Sequence, residues 1–162
     1  MTRLQDNAAL VEQLAAKLLQ RQRMLSTAES CSGGLIAAAC TDLSGSSNWF
    51  ERGFVTYSNA AKSEQLGVPS ALIETHGAVS EEVARAMATG AIKQSHAQVA
   101  VAVTGVAGPT GGTAEKPVGL VWFGFALPGR VLTEKMHFAG DRAAVRAATV
   151  RHALLRLLEL LP

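Results

Sequence analysis

Residues 98–104 read Gln-Val-Ala-Val-Ala-Val-Thr, and none of the seven carries a charge. Five consecutive positions, 99–103, carry Val or Ala, so a strand made from this run is apolar on both faces. That pattern is typical of a central strand covered by helices on both sides of a sheet. A glycine-rich loop follows over 105–112. The run therefore predicts a buried strand of an α/β protein, with a flexible loop at its carboxyl end.

Segments with helical and strand-like patterns alternate on either side of this run. Further strands are predicted over 24–29, 53–57, 118–127 and 131–138, the last two forming a hairpin. Helices are predicted over 8–21, after 34 to about 41, 60–66, 69–77, 80–95 and from 141 onward, with Asn59, Ser80 and Asp141 as N-caps. This order implies a three-layer α/β/α sandwich with a mixed, mostly parallel sheet that contains one antiparallel hairpin.

Length and composition narrow the class of protein. The 162 residues match one domain spanning 1–162. The net charge of +2, from 15 basic and 13 acidic side chains, is too small to favour a nucleic-acid partner. No apolar stretch approaches the roughly 20 residues that cross a bilayer, so no membrane association is expected. Cys31 and Cys40 form no CxxC pair, so no metal or other cofactor is expected. If both lie on one helix they are beyond disulfide reach, which predicts reduced thiols and a cytoplasmic protein.

The first candidate for chemistry is the segment Ala28-Glu29-Ser30-Cys31-Ser32-Gly33-Gly34, where a strand ends and a helix begins. Ligands of α/β sheets bind outside the carboxyl ends of the strands. Ser30 is therefore a candidate nucleophile. Backbone N–H groups of Ser32, Gly33 and Gly34 could bind a phosphate or a developing oxyanion. The alternative is that Ser30 only caps the helix.

The second candidate is Lys62, at the end of the segment Thr56-Tyr57-Ser58-Asn59-Ala60-Ala61-Lys62. It falls in the first turn of a predicted helix, an unfavourable place for a cation. Helix potential and burial would both depress its pKa, and a neutral lysine is a competent base for a serine hydroxyl. The alternative is a solvated surface lysine.

Two further segments could bind a ligand. The loop that starts at Thr104 exposes backbone donors at Gly105 and Gly108, although its spacing is not that of a phosphate-binding P-loop. Arg142 and Arg146 are four residues apart beside the start of the final helix, where they could clamp an anion. The alternatives are a plain flexible loop and two solvated arginines.

Ordered segments across the chain resemble one known family. They are Thr27-Ala28-Glu29-Ser30-Cys31-Ser32-Gly33-Gly34, Gly45-Ser46-Ser47-x-Trp49-Phe50-x-Arg52-Gly53, Val55-Thr56-Tyr57-Ser58-Asn59 with Lys62, His76-Gly77-Ala78-Val79-Ser80, Thr104-Gly105-Val106-Ala107-Gly108-Pro109, Lys116-Pro117-Val118-Gly119 and Gly140-Asp141-Arg142. In this order and spacing they are similar to the C-terminal domain of the competence/damage-inducible CinA family, from about Leu14 to Leu158. So many ordered matches are highly specific.

The resemblance implies a serine–lysine amidohydrolase that needs no metal. Its substrate would be nicotinamide mononucleotide, converted to nicotinate mononucleotide and ammonia during pyridine-nucleotide recycling. In this chain Ser30 would be the nucleophile and Lys62 the base, while Tyr57 and Thr104 match positions that assist. A homo-oligomer is also expected.

Two positions depart from the family pattern. Ser32 stands where threonine is common, which keeps the hydroxyl, and Thr110 stands where an acid is common. Two other functions stay open. One is a non-catalytic or regulatory nucleotide-binding module of the same fold, and the other is an amidohydrolase for a different carboxamide.

Overall fold

The computed structural model describes residues 7–162, along which helices and strands alternate. In chain order the elements are α1 (Ala8–Gln20), β1 (Leu25–Glu29), α2 (Leu35–Thr41), β2 (Phe50–Val55), α3 (Asn59–Leu66), α4 (Ser70–His76), α5 (Glu81–Lys93), β3 (Val99–Gly105), β4 (Leu120–Leu127), β5 (Arg130–His137) and α6 (Arg142–Leu160). A short 3-10 turn over Ser46–Asn48 precedes β2.

The five strands form one sheet in the order β2-β1-β3-β4-β5. Strand β1 pairs in parallel with both β2 and β3, whereas β4 runs antiparallel to both β3 and β5. Only β4 therefore points opposite to the other four strands of the described chain. The predicted mixed sheet and the predicted hairpin are both confirmed. The order places the carboxyl ends of β1, β2 and β3 side by side at one edge.

Helices cover both faces of the sheet, which confirms the predicted three layers. Helices α1, α2 and α6 pack on one face over large side chains such as Phe123 and Phe125. Helices α3, α4 and α5 pack on the other face, where the strands present mainly alanine. Gly124 on β4 explains the close approach there, because a Cβ at this position would clash with the carbonyl oxygen of Ala84 on α5.

The predicted bounds of β2 are wrong by about three residues. The prediction over 53–57 missed the start of the strand, because Glu51 and Arg52 look like loop residues but lie on an edge strand that faces solvent. Strand β2 ends at Val55 because its partner β1 ends at Glu29. Polar side chains are common on such edges.

Two of the three predicted N-caps are confirmed. The Ser80 hydroxyl accepts a hydrogen bond from the N–H of Val83, and the Asp141 carboxylate accepts one from Ala144. Helix α3 instead begins at Asn59, and the Ser58 hydroxyl caps it by accepting from Ala61.

Cys31 and Cys40 are both buried free thiols. No helix within residues 7–162 is both long and apolar enough to cross a membrane. The same residues contain no group of three or more His, Cys, Asp or Glu side chains that could hold a metal ion.

Candidate active site

Three polar residues lie at the adjacent carboxyl ends of β1, β2 and β3. The N–H of Ser30 donates to the carbonyl of Val103 at 3.1 Å, and the N–H of Thr56 donates to the carbonyl of Glu29 at 2.9 Å. Glu29 and Val103 are the last residues of the β1–β3 pairing, so Ser30 and Thr104 come next on neighbouring strands. The backbone therefore brings Ser30, Thr56 and Thr104 to one edge of the sheet, as the sequence predicted for Ser30 and Thr104.

The alternation of side chains assigns these residues to one face of the sheet. Ala28 and Ala102 belong to the core under α3, α4 and α5. Successive side chains of a strand point to opposite faces, so Thr104 shares the face of Ala102. Ser30 follows two residues after Ala28, and Lys62 lies on α3 above the same face. The helix layer that carries Lys62 therefore covers the strand ends that carry the candidate nucleophile.

A buried carboxylate holds the turn that contains Ser30. Glu29 is 1% exposed, and its carboxylate accepts hydrogen bonds from the Ser32 hydroxyl at 2.5 Å and the N–H groups of Ile36 and Ala37 at 2.8 and 3.0 Å. Glu29 therefore accepts hydrogen bonds from N–H groups at the start of α2, where the sequence predicted free donors for a ligand. The Ser32 hydroxyl is also engaged inside the turn. Sequence reasoning missed Glu29, although an acid directly before a strand-to-helix turn is a usable signal.

The backbone of the turn also keeps N–H donors that have no acceptor among residues 7–162. The N–H of Gly33 donates to the Ser30 carbonyl, and the N–H of Leu35 donates to the Ser32 carbonyl. The N–H groups of Ser32 and Gly34 have no acceptor among residues 7–162. Gly33 and Gly34 have φ values of +60° and +108°, a left-handed backbone that favours glycine. The turn therefore combines a fixed shape with backbone donors near Ser30.

Lys62 is buried, with 1% of its surface exposed. Its Nζ donates to the carbonyl of Tyr57 at 3.2 Å. Burial lowers the pKa of this amine, while the nearby Cys31 thiol acts weakly in the opposite direction. The direction agrees with the prediction, and burial is its cause; the predicted contribution of the helix N-terminus is not among the causes. The alternative of a solvated surface lysine is wrong.

Cys31 lies between Ser30 and the rest of the turn. Burial raises the pKa of this thiol to about 12. Cys31 is therefore a neutral thiol at physiological pH and lacks the thiolate that nucleophilic attack requires.

Ser30 and Lys62 share this region without a direct hydrogen bond between them. The Ser30 side chain is 8% exposed and forms no hydrogen bond with any of residues 7–162, and Lys62 Nζ bonds the Tyr57 carbonyl instead. Catalytic hydrogen bonds are often long or poorly aligned before substrate binds and tighten in the complex.

Both arginines of the predicted clamp reach the site from the start of α6. Arg142 donates from Nη1 to the Gly108 carbonyl at 2.8 Å and from Nη2 to the Tyr57 hydroxyl at 3.1 Å. Arg146 donates from Nε to the Cys31 carbonyl and from Nη2 to the Ser32 carbonyl, both at 3.2 Å. A cavity of about 610 Å³ lies beside the two guanidinium groups. Arg142 thus joins the glycine loop to Tyr57, and Arg146 holds the nucleophile turn.

The residues of the glycine loop have packing roles as well. Thr104 is buried, and its hydroxyl donates to the Ala78 carbonyl at 2.8 Å. A Cβ at Gly105 would lie 2.9 Å from the carbonyl oxygen of Leu120, and Gly108 has a φ of +82°. These positions shape the wall of the site through their backbone.

This fold and site define a class: an α/β/α sandwich with a serine turn, a buried lysine and two arginines at the carboxyl edge of its parallel strands. The CinA C-terminal domain model matches residues 7–161, and the chain belongs to that family. The resemblance inferred from the sequence is therefore confirmed.

The following relatives are similar to this chain over most of their length. The chain is 59% identical over 135 residues to Nicotinamide-nucleotide amidohydrolase PncC of Enterobacter agglomerans, covering 83% of this chain and 82% of the relative. It is 51% identical over 149 residues to the protein of that name from Escherichia coli (strain K12), covering 91% and 90%. The crystal structure of competence/damage inducible protein CihA from Agrobacterium tumefaciens superposes with a TM-score of 0.92 at 47% identity, covering 99% and 96%.

Proposed function

We propose that this chain is a cytoplasmic amidohydrolase that converts nicotinamide mononucleotide to nicotinate mononucleotide and ammonia in pyridine-nucleotide recycling. The observation that carries the proposal is the buried amine of Lys62, whose pKa is lowered, on the sheet face that Ser30 adjoins. The names of the relatives from Enterobacter agglomerans and Escherichia coli support the choice of substrate.

In the first half of the reaction, neutral Lys62 accepts the hydroxyl proton of Ser30. The Ser30 oxygen attacks the carboxamide carbon, and the tetrahedral oxyanion accepts hydrogen bonds from the free N–H groups of Ser32 and Gly34. Removing one such donor typically costs about 3–4 kcal/mol of transition-state stabilisation. Protonated Lys62 then donates its proton to the amide nitrogen, the C–N bond breaks, and ammonia leaves an acyl ester on Ser30.

In the second half, water replaces ammonia. Lys62 accepts a proton from the attacking water, the C–O bond to Ser30 breaks, and the Ser30 oxygen recovers the proton. Nicotinate mononucleotide leaves as a carboxylate. Both halves use the same base and the same backbone donors, so one site serves the whole cycle.

Arg146 and Arg142 have different roles in this proposal. Arg146 is half-buried and donates from Nε and Nη2 to two backbone carbonyls of the nucleophile turn, which assigns it to support of that turn. Arg142 lies at the cavity with an exposed side chain, which suits it to the 5′-phosphate. The ring of Tyr57 is 59% exposed beside Arg142 and could pack against the pyridinium.

We also propose a homo-oligomer. Val55 and Tyr57 are large apolar side chains with 47% and 59% of their surfaces exposed, and both adjoin the open edge of β2. A second copy of the chain over this edge would cover them. Light scattering coupled to gel filtration tests this part, and a monomer at micromolar concentration would contradict it.

The test of the activity is ammonia release from nicotinamide mononucleotide. We expect Ser30→Ala and Lys62→Ala each to lose at least about a thousandfold in kcat, as for other nucleophile and base removals. Lys135→Ala, at an exposed lysine, is the matched control and should keep wild-type activity. Full activity in either site variant would end the serine–lysine assignment.

A second candidate is a binding module without turnover, and the missing Ser30–Lys62 hydrogen bond favours it. Calorimetry with nicotinamide mononucleotide, run beside the ammonia assay, separates the two. Tight binding without ammonia release would support the module. Comparing the nucleotide with nicotinamide riboside and nicotinamide would also reveal an amidohydrolase for a different carboxamide.

A further inference from the structure

Thr56 is a buried hydroxyl without a partner at the edge of the candidate site. Its side chain has no exposed surface, and Oγ1 forms no hydrogen bond with any of residues 7–162. A buried hydroxyl left unpaired is destabilising. Its backbone N–H is bonded to Glu29, so the residue is fixed in place while its hydroxyl is unused. We therefore expect the Thr56 hydroxyl to gain a hydrogen-bond partner when a neighbouring side chain of the site moves.

The neighbours of β2 show which face of the sheet Thr56 occupies. A Cβ at Gly53 would lie 3.3 Å from Ala37 on α2, and a Cβ at Gly34 would lie 3.5 Å from Val55. Positions 53 and 55 therefore face α2. Phe54 packs against the opposite core, below α3 and α5. By alternation Thr56 shares that face with Phe54, and Lys62 lies on α3 above it.

Lys62, above the same face of the sheet, has an N–H donor that is not used in a hydrogen bond with residues 7–162. A neutral amine has two N–H donors and one lone pair, and Nζ uses one donor on the carbonyl of Tyr57, the residue after Thr56. A base that deprotonates Ser30 must aim its lone pair at that hydroxyl, which leaves the second N–H for another acceptor. Two fixed acceptors would determine where the lone pair points.

We propose that Thr56 is a positioning residue for Lys62, whose Nζ donates its second hydrogen bond to Oγ1 when the amine faces Ser30. The inference rests on the proposed function. It adds a hydroxyl that acts through Lys62 and does not itself touch the reacting atoms. Among residues 7–162, Cys31 is the titratable group coupled to Lys62, and because its thiol stays neutral at physiological pH, burial is what lowers the pKa of Lys62 there.

The test compares Thr56→Val, which keeps the shape and removes the hydroxyl, with Thr56→Ser, which keeps the hydroxyl. Thr27→Val is the matched control, because Thr27 is equally buried and unpartnered but lies inside β1. We expect Thr56→Val to lower kcat about tenfold, the effect of one hydrogen bond, with little change in KM. Thr56→Ser and Thr27→Val should stay within about twofold of wild type by the same reasoning.

The pH profile supplies a readout that a merely structural role would not move. A hydroxyl that accepts from the ammonium stabilises the charged form, so its removal lowers the pKa of Lys62 further. The acidic limb of kcat/KM should therefore shift to lower pH in Thr56→Val and return in Thr56→Ser. Wild-type kcat and an unmoved limb in Thr56→Val would overturn the inference. Thr56→Ala provides the same comparison if valine prevents folding.

A titration of the Lys62 amine by NMR, without nucleotide, separates this inference from the proposed function. A wild-type protein that releases no ammonia would refute the function. In that case a lower Lys62 pKa in Thr56→Val would still support the contact, and an equal pKa in the two proteins would refute it.

Discussion

The guanidinium of Arg146 donates from Nε to the backbone carbonyl of Cys31 at 3.2 Å, although 115 residues separate them in the chain. Its Nη2 also donates to the backbone carbonyl of Ser32, two residues after Ser30. The final helix therefore fixes the turn that presents the candidate nucleophile.

Replacing Arg146 should impair catalysis more than binding. We expect Arg146→Ala to lower kcat for nicotinamide mononucleotide at least about tenfold, since charge-assisted hydrogen bonds contribute about 1.5–3 kcal/mol each. KM should change less, because the side chain supports the turn and not the nucleotide. Steady-state kinetics with Arg151→Ala as control, an exposed arginine of α6, measures the difference. A variant with raised KM and intact kcat would assign Arg146 to binding instead.

Replacing Arg142 should show the opposite pattern. We expect Arg142→Gln to raise KM for nicotinamide mononucleotide at least about tenfold, the loss of a charge-assisted contact with the phosphate. With nicotinamide riboside, which has no phosphate, wild type and variant should have the same kcat/KM. Equal losses of kcat/KM on both substrates would show that Arg142 does not bind the phosphate.

Glu29 should be a stability residue as well as a support of the turn. Its carboxylate accepts from three donors and is almost fully buried. Glu29→Gln keeps one acceptor oxygen but places an amide against backbone N–H groups, so we expect a loss of about 1–3 kcal/mol in unfolding free energy. Urea denaturation measures this loss, with Glu64→Gln at an exposed position of α3 as the control. An unchanged midpoint would show that these bonds contribute little.

The interior strand was predictable from sequence because burial on both faces leaves a local pattern in 98–104. The edge strand β2 was misplaced because one of its sides faces solvent, so its first residues resemble a loop. Helix starts at Ser80 and Asp141 were predictable because a capping hydroxyl or carboxylate acts on an N–H three residues ahead.

The contacts that shape the site were harder to predict. The carboxylate of Glu29 reaches N–H groups seven and eight residues ahead, which depends on the path of the intervening turn. Arg146 reaches carbonyls more than a hundred residues away, and no local pattern encodes that distance. The sequence identified the polar groups of this edge but not which of them bond one another.

Burial of Lys62 should appear in the pH dependence of stability. Its folded-state pKa lies below the ordinary 10.5, so the unfolded chain binds more protons between these two values. Wild-type stability therefore rises with pH across that window. We expect Lys62→Met to be more stable than wild type at pH 7 by about 1–2 kcal/mol, because a buried polar amine is removed. Denaturation at several pH values should show this advantage shrinking toward pH 10.5, and an advantage that grew with pH would contradict the buried neutral amine.

The thiol next to the nucleophile should be dispensable. Since burial raises the pKa of Cys31 to about 12, almost no thiolate exists at neutral pH. We expect Cys31→Ala to keep ammonia release within about threefold of wild type, apart from a small packing loss. Iodoacetamide should likewise leave the native enzyme active. Abolished turnover in Cys31→Ala, with the fold intact, would move the nucleophile from position 30 to position 31.

The covalent step can be tested most directly by trapping the acyl group with hydroxylamine during turnover of nicotinamide mononucleotide. An ester on Ser30 would react with hydroxylamine to give the hydroxamate of the nucleotide, alongside nicotinate mononucleotide and undiminished ammonia release. Our account predicts hydroxamate from wild type and neither product from Ser30→Ala. Steady ammonia release without any hydroxamate, or hydroxamate from Ser30→Ala, would contradict it.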